Sequence, residues 1–517
     1  MTPLPGAASP TSDAETKPVD DRLAELKRRL GEVSDLRSAL AVLDWDQMVM
    51  MPPTGASVRA DRLATLERVA HERFVDGRIG ELVDELGELE ANLPYDSDDA
   101  SLIRVTRRDW EKASRVPADL AAELTKAASE GMAAWVVARA ENDYEAFRPW
   151  LDRHLALKHE YIACFEPAAD PYDILLEDFE PGTTTSEVRG VFDLLREELV
   201  PLIAAVGAEG GRPSGIGDGP FPEEGQHSLA LAAMTAFGFD PASFRLDTTV
   251  HPFCSSFATA DIRVTTRYNA HDLESLFSCM HEIGHGLYER GVNPALERTP
   301  LAAGCSSGLH ESQSRLWENV VGRSLPFCRW LHPQLVSTFP DTLGGVTLEH
   351  FHGSINRVQP SFIRVDADEV TYGMHIILRF ELEQELLAGR LSTADLPDAW
   401  NARFEEYLGL AVPEDRLGVL QDVHWSCGMF GYFPTYQLGN VMSVQIWEAA
   451  QAALPGLDQS FERGDFSELG AWLRANLYSL GRKLTPKETL ERVVGGPIDP
   501  EPYLRYLQNK HGAGVTG

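Results

Sequence analysis

LFSCMHEIGHGLYERG, residues 276–291, spells His281-Glu282-x-x-His285 inside a run of helical spacing. Leu273, Phe277, Met280, Gly284 and Leu287 fall on one face, and Asp272 stands where an N-cap is wanted. The spacing predicts an amphipathic helix with that face buried. His281 and His285 then lie one turn apart at the edge of the face, where two imidazoles can converge on one ion. Glu282 lies further round, close enough to reach a water at the ion without becoming a ligand. A chance spelling would leave Gly284 and Gly286 in mid-helix with no purpose other than close packing against a neighbouring element.

A catalytic zinc needs a third protein ligand and one open position. Glu289 shares the face of His281 but lies about 12 Å along the helix axis, too far to close the site. Glu311, in GLHESQSRLWENVVGR (residues 308–323), is better placed. Ser307 can cap a second helix there, with Leu309, Leu316 and Val320 on its inner side. An antiparallel neighbour helix would return Glu311 to the histidine pair. Glu297, in a Pro-flanked loop, and Glu318, readable as a solvated helix charge, are the weaker alternatives. In such a site zinc lowers the pKa of its water and polarises a carbonyl. Glu282 would take the water's proton and pass it to the leaving amine, which is hydrolysis of a peptide or similar amide.

Working outward, the chain reads as mainly α. Leu23, Leu26, Leu30, Val33, Leu36, Leu40 and Leu43 form the stripe of a long helix that should stop near MMPPTG (residues 50–55). A second stripe through Leu63, Leu66, Val69, Ala70 and Phe74 pairs with it as a hairpin. Helical patterns return over residues 101–165 and 185–206, the latter with Val188, Val191, Phe192, Leu195, Leu199 and Leu202 on one side. The segment 262–268, IRVTTRY, is β-branched and partly alternating, so a small sheet is expected beside the His281 helix. Its strand could bind an extended peptide by β-augmentation or be covered by the protein itself. The expected organisation is a disordered tail over 1–20, an N-terminal helical region over 21–206, a Gly/Pro-rich loop over 207–225 and a catalytic region over 226–510 continuous with the N-terminal helices.

The 517 residues carry 46 basic and 79 acidic side chains, a formal charge of -33 that repels nucleic acid and anionic membranes. Nucleic acid and membrane partners are therefore not expected. Six scattered cysteines without a C-x-x-C pair read as reduced thiols, and no secretory leader or bilayer-length apolar run is seen, so a cytoplasmic protein is expected.

The chain resembles the Taq-type thermostable metallocarboxypeptidases, a family of HExxH enzymes. The likeness runs through ALAVLDWDQMVMMPPTGASVRADRLATLERVAHE, YDILLEDFEPGTTTSEV, RLDTTVHPF, DIRVTTRY, HEIGHGLYERG, HESQSRLWENVVGR, IRVDADEVTYGMHIILRFELE and GVLQDVHWSCGMFGYFPTYQLGN, and so covers most of the chain. The resemblance implies a two-lobed, gluzincin-like helical fold with a deep active-site groove, a homodimer, and a zinc or cobalt ion that removes single residues from peptides with a free C-terminus. By matching motif, it implies His281, His285 and Glu311 as metal ligands and Glu282 as general base. His251 of HPF and Arg364 of IRVDADE are implied at the substrate, and His424 of QDVHW with Tyr432 or Tyr436 of GYFPTY along the groove. Gly286 stands where alanine is common, and Cys427 where histidine is frequent. The latter could alter substrate preference or add a redox-sensitive thiol.

The residues themselves leave these substrate roles more open. Asp366 and Glu369 can form a capping box after Arg364, fixing its guanidinium as a bidentate clamp for a carboxylate, although an ordinary salt bridge explains the arginine equally well. His424 could donate to an oxyanion, but packing is the default for a histidine beside Trp425 and for the two tyrosines. Nothing in HExxH fixes which end of a substrate is read, so a zinc oligoendopeptidase is the alternative, and a non-catalytic helical metal-binding scaffold is the alternative of another class.

Overall fold

The computed structural model describes residues 18–208, 216 and 219–512. The tail expected over 1–20 lies outside these residues except for its last three, and so do residues 209–215, 217 and 218 of the loop expected over 207–225. The first helix, Val19–Val49, stops at Met50, and a short 3-10 turn at Pro53–Gly55 leads into Ala56–Phe74. The two helices pack together as a hairpin. Pro52 and Pro53 explain the break, since neither has an N–H for the helix ladder. Helices at Asp98–Arg115, Ala118–Glu141, Tyr144–Ile162 and Thr185–Ala208 follow. Along the last of these, Val188, Val191, Phe192, Leu195 and Leu199 are buried, as their spacing demands.

Most apolar burial belongs to one core that reaches from Ala138 to Leu507. A smaller core joins Leu26, Leu30, Phe74, Ile79 and Leu82 of the N-terminal helices to Val292, Leu296 and Leu301, which directly follow the HExxH motif. The N-terminal layer is thereby fixed to the end of the helix that carries the histidines. Among the described residues, no helix is long and apolar enough to cross a membrane.

The sheet has three strands, β1 (Phe244–Thr248), β2 (Cys254–Ala258) and β3 (Asp261–Thr266), in the order β1-β3-β2. β3 pairs in parallel with β1 and antiparallel with β2. The expected strand is therefore present, ending at Thr266, but both its edges are covered by the protein's own chain. β-Augmentation along it is ruled out for that reason.

The HExxH helix runs Glu274–Gly291, with Leu273 at the cap position. Asp272 stands one residue too early to cap it, yet its carboxylate accepts from the Glu274 N–H at 3.1 Å and serves the same end. Burial does not follow the single stripe read from the sequence: Leu276, Cys279, Ile283, Gly286 and Tyr288 are buried as well. The helix is enclosed on two sides. A Cβ at Gly286 would sit 3.0 Å from Ile262 and Phe244 of the sheet, and one at Gly284 would sit 2.6 Å from the Gln313 carbonyl oxygen. Both glycines thus permit close approach, and Gly284 is where the chain carrying Glu311 comes nearest.

Candidate active site

Glu311 lies on the helix Ser307–Arg315, capped by Ser306 rather than Ser307: the Ser306 Oγ accepts from Leu309 N–H at 3.1 Å. The buried Glu180 completes this end, accepting from Ser306 Oγ and Gly308 N–H at 2.9 Å each. On its other flank the Glu311 helix packs against Phe433–Ala453, where a Cβ at Gly439 would come within 2.7 Å of Glu311 Cβ. Gly284 and Gly439 together leave a slot of one backbone's width.

The slot brings Glu311 to the histidines. Its Oε2 is 3.8 Å from His281 Nε2 and 3.6 Å from His285 Nε2, and one ligand atom from each residue lies within 4.8 Å of the others. Both Nδ1 atoms point elsewhere. His281 Nδ1 meets Glu318 Oε2 at 2.9 Å, and His285 Nδ1 meets His310 Nδ1 at 2.7 Å. His310 Nε2 in turn meets Glu289 Oε1 at 2.7 Å, and Arg315 Nε donates to Glu311 Oε1 at 2.7 Å. Each inward atom is held by a second group behind it, the arrangement that orients metal ligands. Two imidazole nitrogens and one carboxylate oxygen form a donor set suited to a divalent ion, so the residues present fit one.

Glu318, weighed above as a weaker ligand, pairs with His281 instead, and Glu289, out of reach of the set, touches it only through His310. Glu297 is elsewhere, accepting from the Thr259 backbone. Past Arg315 the helix widens into a π turn, Leu316–Val321, and Glu318 sits in it against His281. An α-helix was expected to continue there; such π turns recur at functional sites. Burial would raise the Glu318 carboxyl, but its bond to His281 and the charge of Arg315 hold it at about 2. Burial is also the main influence on His285, whose imidazole is held well below its ordinary value with help from His310, His281 and Arg315. Glu318→Gln should weaken zinc binding by about 10- to 100-fold in a competitive chelator titration while leaving the fold intact.

Glu282 is buried beside this set. Burial pushes its carboxyl up to about 7; His281 opposes the shift, and Glu311 and Glu318 add to it. A carboxyl poised near neutrality suits proton transfer.

The substrate candidates form a second cluster. Arg364 lies in a 3-10 turn, Arg364–Asp366, and the expected capping box does not form. Asp368 accepts from Val370 and Thr371 N–H ahead of the helix Tyr372–Leu387, because Glu369 is drawn away to Lys510 (2.7 Å) and His511 (3.2 Å). The Arg364 guanidinium stands 4.9 Å from the Tyr436 ring centre and bonds to Asp422 and Tyr372. Tyr436 Oη meets His424 Nε2 at 3.2 Å, and the Tyr432 ring lies 5.2 Å from that of Tyr436. Tyr436 is three residues before Gly439, so one helical turn links this cluster to Glu311. His251 is not brought in. It is exposed in the turn between β1 and β2, and among the described residues no hydrogen bond or ring contact ties it to the cluster.

Cys427 lies at the far end of the His424 turn, its Sγ 3.9 Å from Met132 Sδ. All six cysteines are free. Four partners escaped the sequence reading: His310, Arg315, Tyr372 and Asp422. His310 and Asp422 stood next to motif residues, and only their proximity could have signalled them.

Three comparisons bear on this geometry. A family model described as the carboxypeptidase Taq (M32) metallopeptidase matches residues 25–511. The chain is 41% identical to Thermostable carboxypeptidase 1 of Thermus thermophilus over 93% of its own length and 96% of that protein's, and 34% identical to Carboxypeptidase 1 of Bacillus subtilis over 93% and 96%. Among solved structures, the M32 carboxypeptidase of Deinococcus radiodurans superposes with a TM-score of 0.92 at 40% identity, covering 96% of this chain and 99% of that one. A Pyrococcus furiosus carboxypeptidase does so with a TM-score of 0.92 at 33% identity, covering 95% and 99%. A helical fold with one small sheet beside the HExxH helix, a preorganised two-histidine, one-carboxylate set and a match along nearly the whole chain agree: this protein belongs to the carboxypeptidase Taq (M32) metallopeptidase family, whose members are peptide hydrolases.

Proposed function

We propose that the protein removes single amino acids from the C-terminus of peptides, using a zinc or cobalt ion held by His281, His285 and Glu311. The observation that carries this reading is the convergence of those three ligand atoms within 4.8 Å, each backed by a partner, beside the buried Glu282. A bound ion would lower the pKa of a water and polarise the scissile carbonyl. Glu282 takes the proton of the attacking water and delivers it to the leaving amine. His424, which burial pulls down to about 3 and so keeps neutral, and Tyr436 are donors for the oxygen that gains charge. Arg364 receives the free carboxylate of the substrate, with Tyr432 beside it. The resemblance further supports a homodimer with its active sites in deep grooves, and the six unpaired cysteines support a cytoplasmic setting.

The test is a mass-spectrometric time course on one short peptide as free acid and as C-terminal amide, with zinc or cobalt and with a chelator. Stepwise, metal-dependent loss of single residues from the free acid alone is expected. Internal cuts in both forms would replace this reading with an oligoendopeptidase, and bound metal without cleavage would replace it with a scaffold.

A further inference from the structure

Arg364 already has a carboxylate partner. Its Nε and Nη2 donate to Asp422 Oδ1 at 3.0 and 2.8 Å, and its Nη1 donates to Tyr372 Oη at 3.0 Å. A one-to-one pair of this kind is neutral and attracts a second carboxylate poorly. Arg379 changes the balance. It is fully buried on the helix Tyr372–Leu387, and its Nε and Nη2 lie 2.7 and 2.5 Å from the other oxygen of Asp422, Oδ2.

Two guanidinium charges therefore share one carboxylate, and one positive charge is left over. The surroundings do not cancel it. Arg379 lies against the rings of Trp400 and Phe433, and Arg364 against those of Tyr372, Phe433 and Tyr436. His424 Nδ1 is 3.9 Å from Asp422 and carries no negative charge in any form. Glu383, one turn beyond Arg379, is engaged by Tyr172 Oη, Trp425 Nε1 and Gly431 N–H instead. Among the described residues, Asp422 is the one carboxylate paired with either arginine. A buried charge without a partner is costly, and a site that keeps one is prepared for an anion that arrives later.

We propose that Arg379 is a specificity-determining positioning residue, which offsets Asp422 so that the cluster around Arg364 keeps a net positive charge toward the free α-carboxylate of a peptide. Asp422 aims Arg364, and Arg379 balances the negative charge that Asp422 brings. The inference rests on the carboxypeptidase reading and deepens it, since it explains how an arginine already in an ion pair can select a free C-terminus.

The test measures kcat and KM on a short free-acid peptide and its amide for the metal-loaded wild type, Arg379→Met and Arg379→Met/Asp422→Asn. Loss of one unit charge some 7 Å away at an effective dielectric near 20 corresponds to roughly a 10- to 50-fold change in carboxylate affinity. KM for the free acid should rise by about that factor in Arg379→Met, with kcat within about 3-fold of wild type and metal content unchanged. The double variant should return to within about 5-fold of the wild-type KM, because an amide at 422 still accepts from Arg364 but brings no charge. It keeps the single surplus positive charge of the wild type, so it decides the matter if Arg379→Met alone does not fold. An unchanged KM in Arg379→Met, or a double variant at least 10-fold weaker than wild type, would overturn the proposal. Equal cleavage of acid and amide by the wild type would overturn the carboxypeptidase reading itself, and that is seen before any variant is made.

Discussion

Glu282→Gln should lower kcat for peptide hydrolysis by about a thousandfold and leave one metal ion bound per chain. The substitution keeps the shape of the side chain and removes its capacity to accept a proton at neutral pH. The ligands should not feel it, because His281, His285 and Glu311 are each held by other groups: Glu318, His310 and Arg315. The carboxyl is also neutralised at little penalty, since burial already pushes it up to about 7. Lost turnover with intact metal assigns the base. Retained turnover would move the proton transfer to another group, with Tyr436 or His424 next in line.

Glu311→Gln should act in the opposite order, through the metal first. An amide is a poor ligand for a divalent transition ion, and a loss of more than about 100-fold in zinc affinity is expected, beyond what outer-shell changes cost. Activity should fall in step and recover partly when zinc is raised. Stability should fall too, because Arg315 is largely shielded from solvent and loses the charge of its closest carboxylate, at 2.7 Å. Breaking such a pair costs about 3–5 kcal/mol when nothing replaces it. Glu318, 3.4 Å from Arg315, remains and the amide oxygen of the new Gln still accepts from Arg315, so a loss below that range is expected in a denaturant titration. A variant that lost activity but kept full zinc affinity would remove Glu311 from the ligand set.

The contrast between these residues shows what a sequence can carry. His281, Glu282 and His285 are legible because their spacing and the helical period are one local fact, and the helix forms where the period places it. Glu311 is legible because a second helix can return to the first, although its cap falls one residue earlier than read. Gly284 and Gly286 announced close packing without saying against what. The answer, a helix on one side and a sheet on the other, is tertiary.

Charge networks were harder to read for the same reason. Glu318 looked like a solvated charge, and only the π turn at Leu316–Val321 explains how it faces His281. Arg379 sits in HIILRFELE among apolar neighbours, where a buried arginine leaves no periodic signature. Its partner Asp422 is 43 residues away. Glu369, read as part of a cap, is taken instead by Lys510 and His511 from the last helix, Glu501–His511, a contact no local pattern contains.

The most direct measurement is an anomalous-scattering map at the zinc edge from crystals of the zinc-loaded protein. One dominant peak is expected, about 2.0–2.2 Å from His281 Nε2, His285 Nε2 and a Glu311 carboxylate oxygen, with Nδ1 of both histidines still turned to Glu318 and His310. A peak at another group of residues, or an ion bound through Glu318 in place of Glu311, would contradict the site on which the proposed peptide hydrolysis depends.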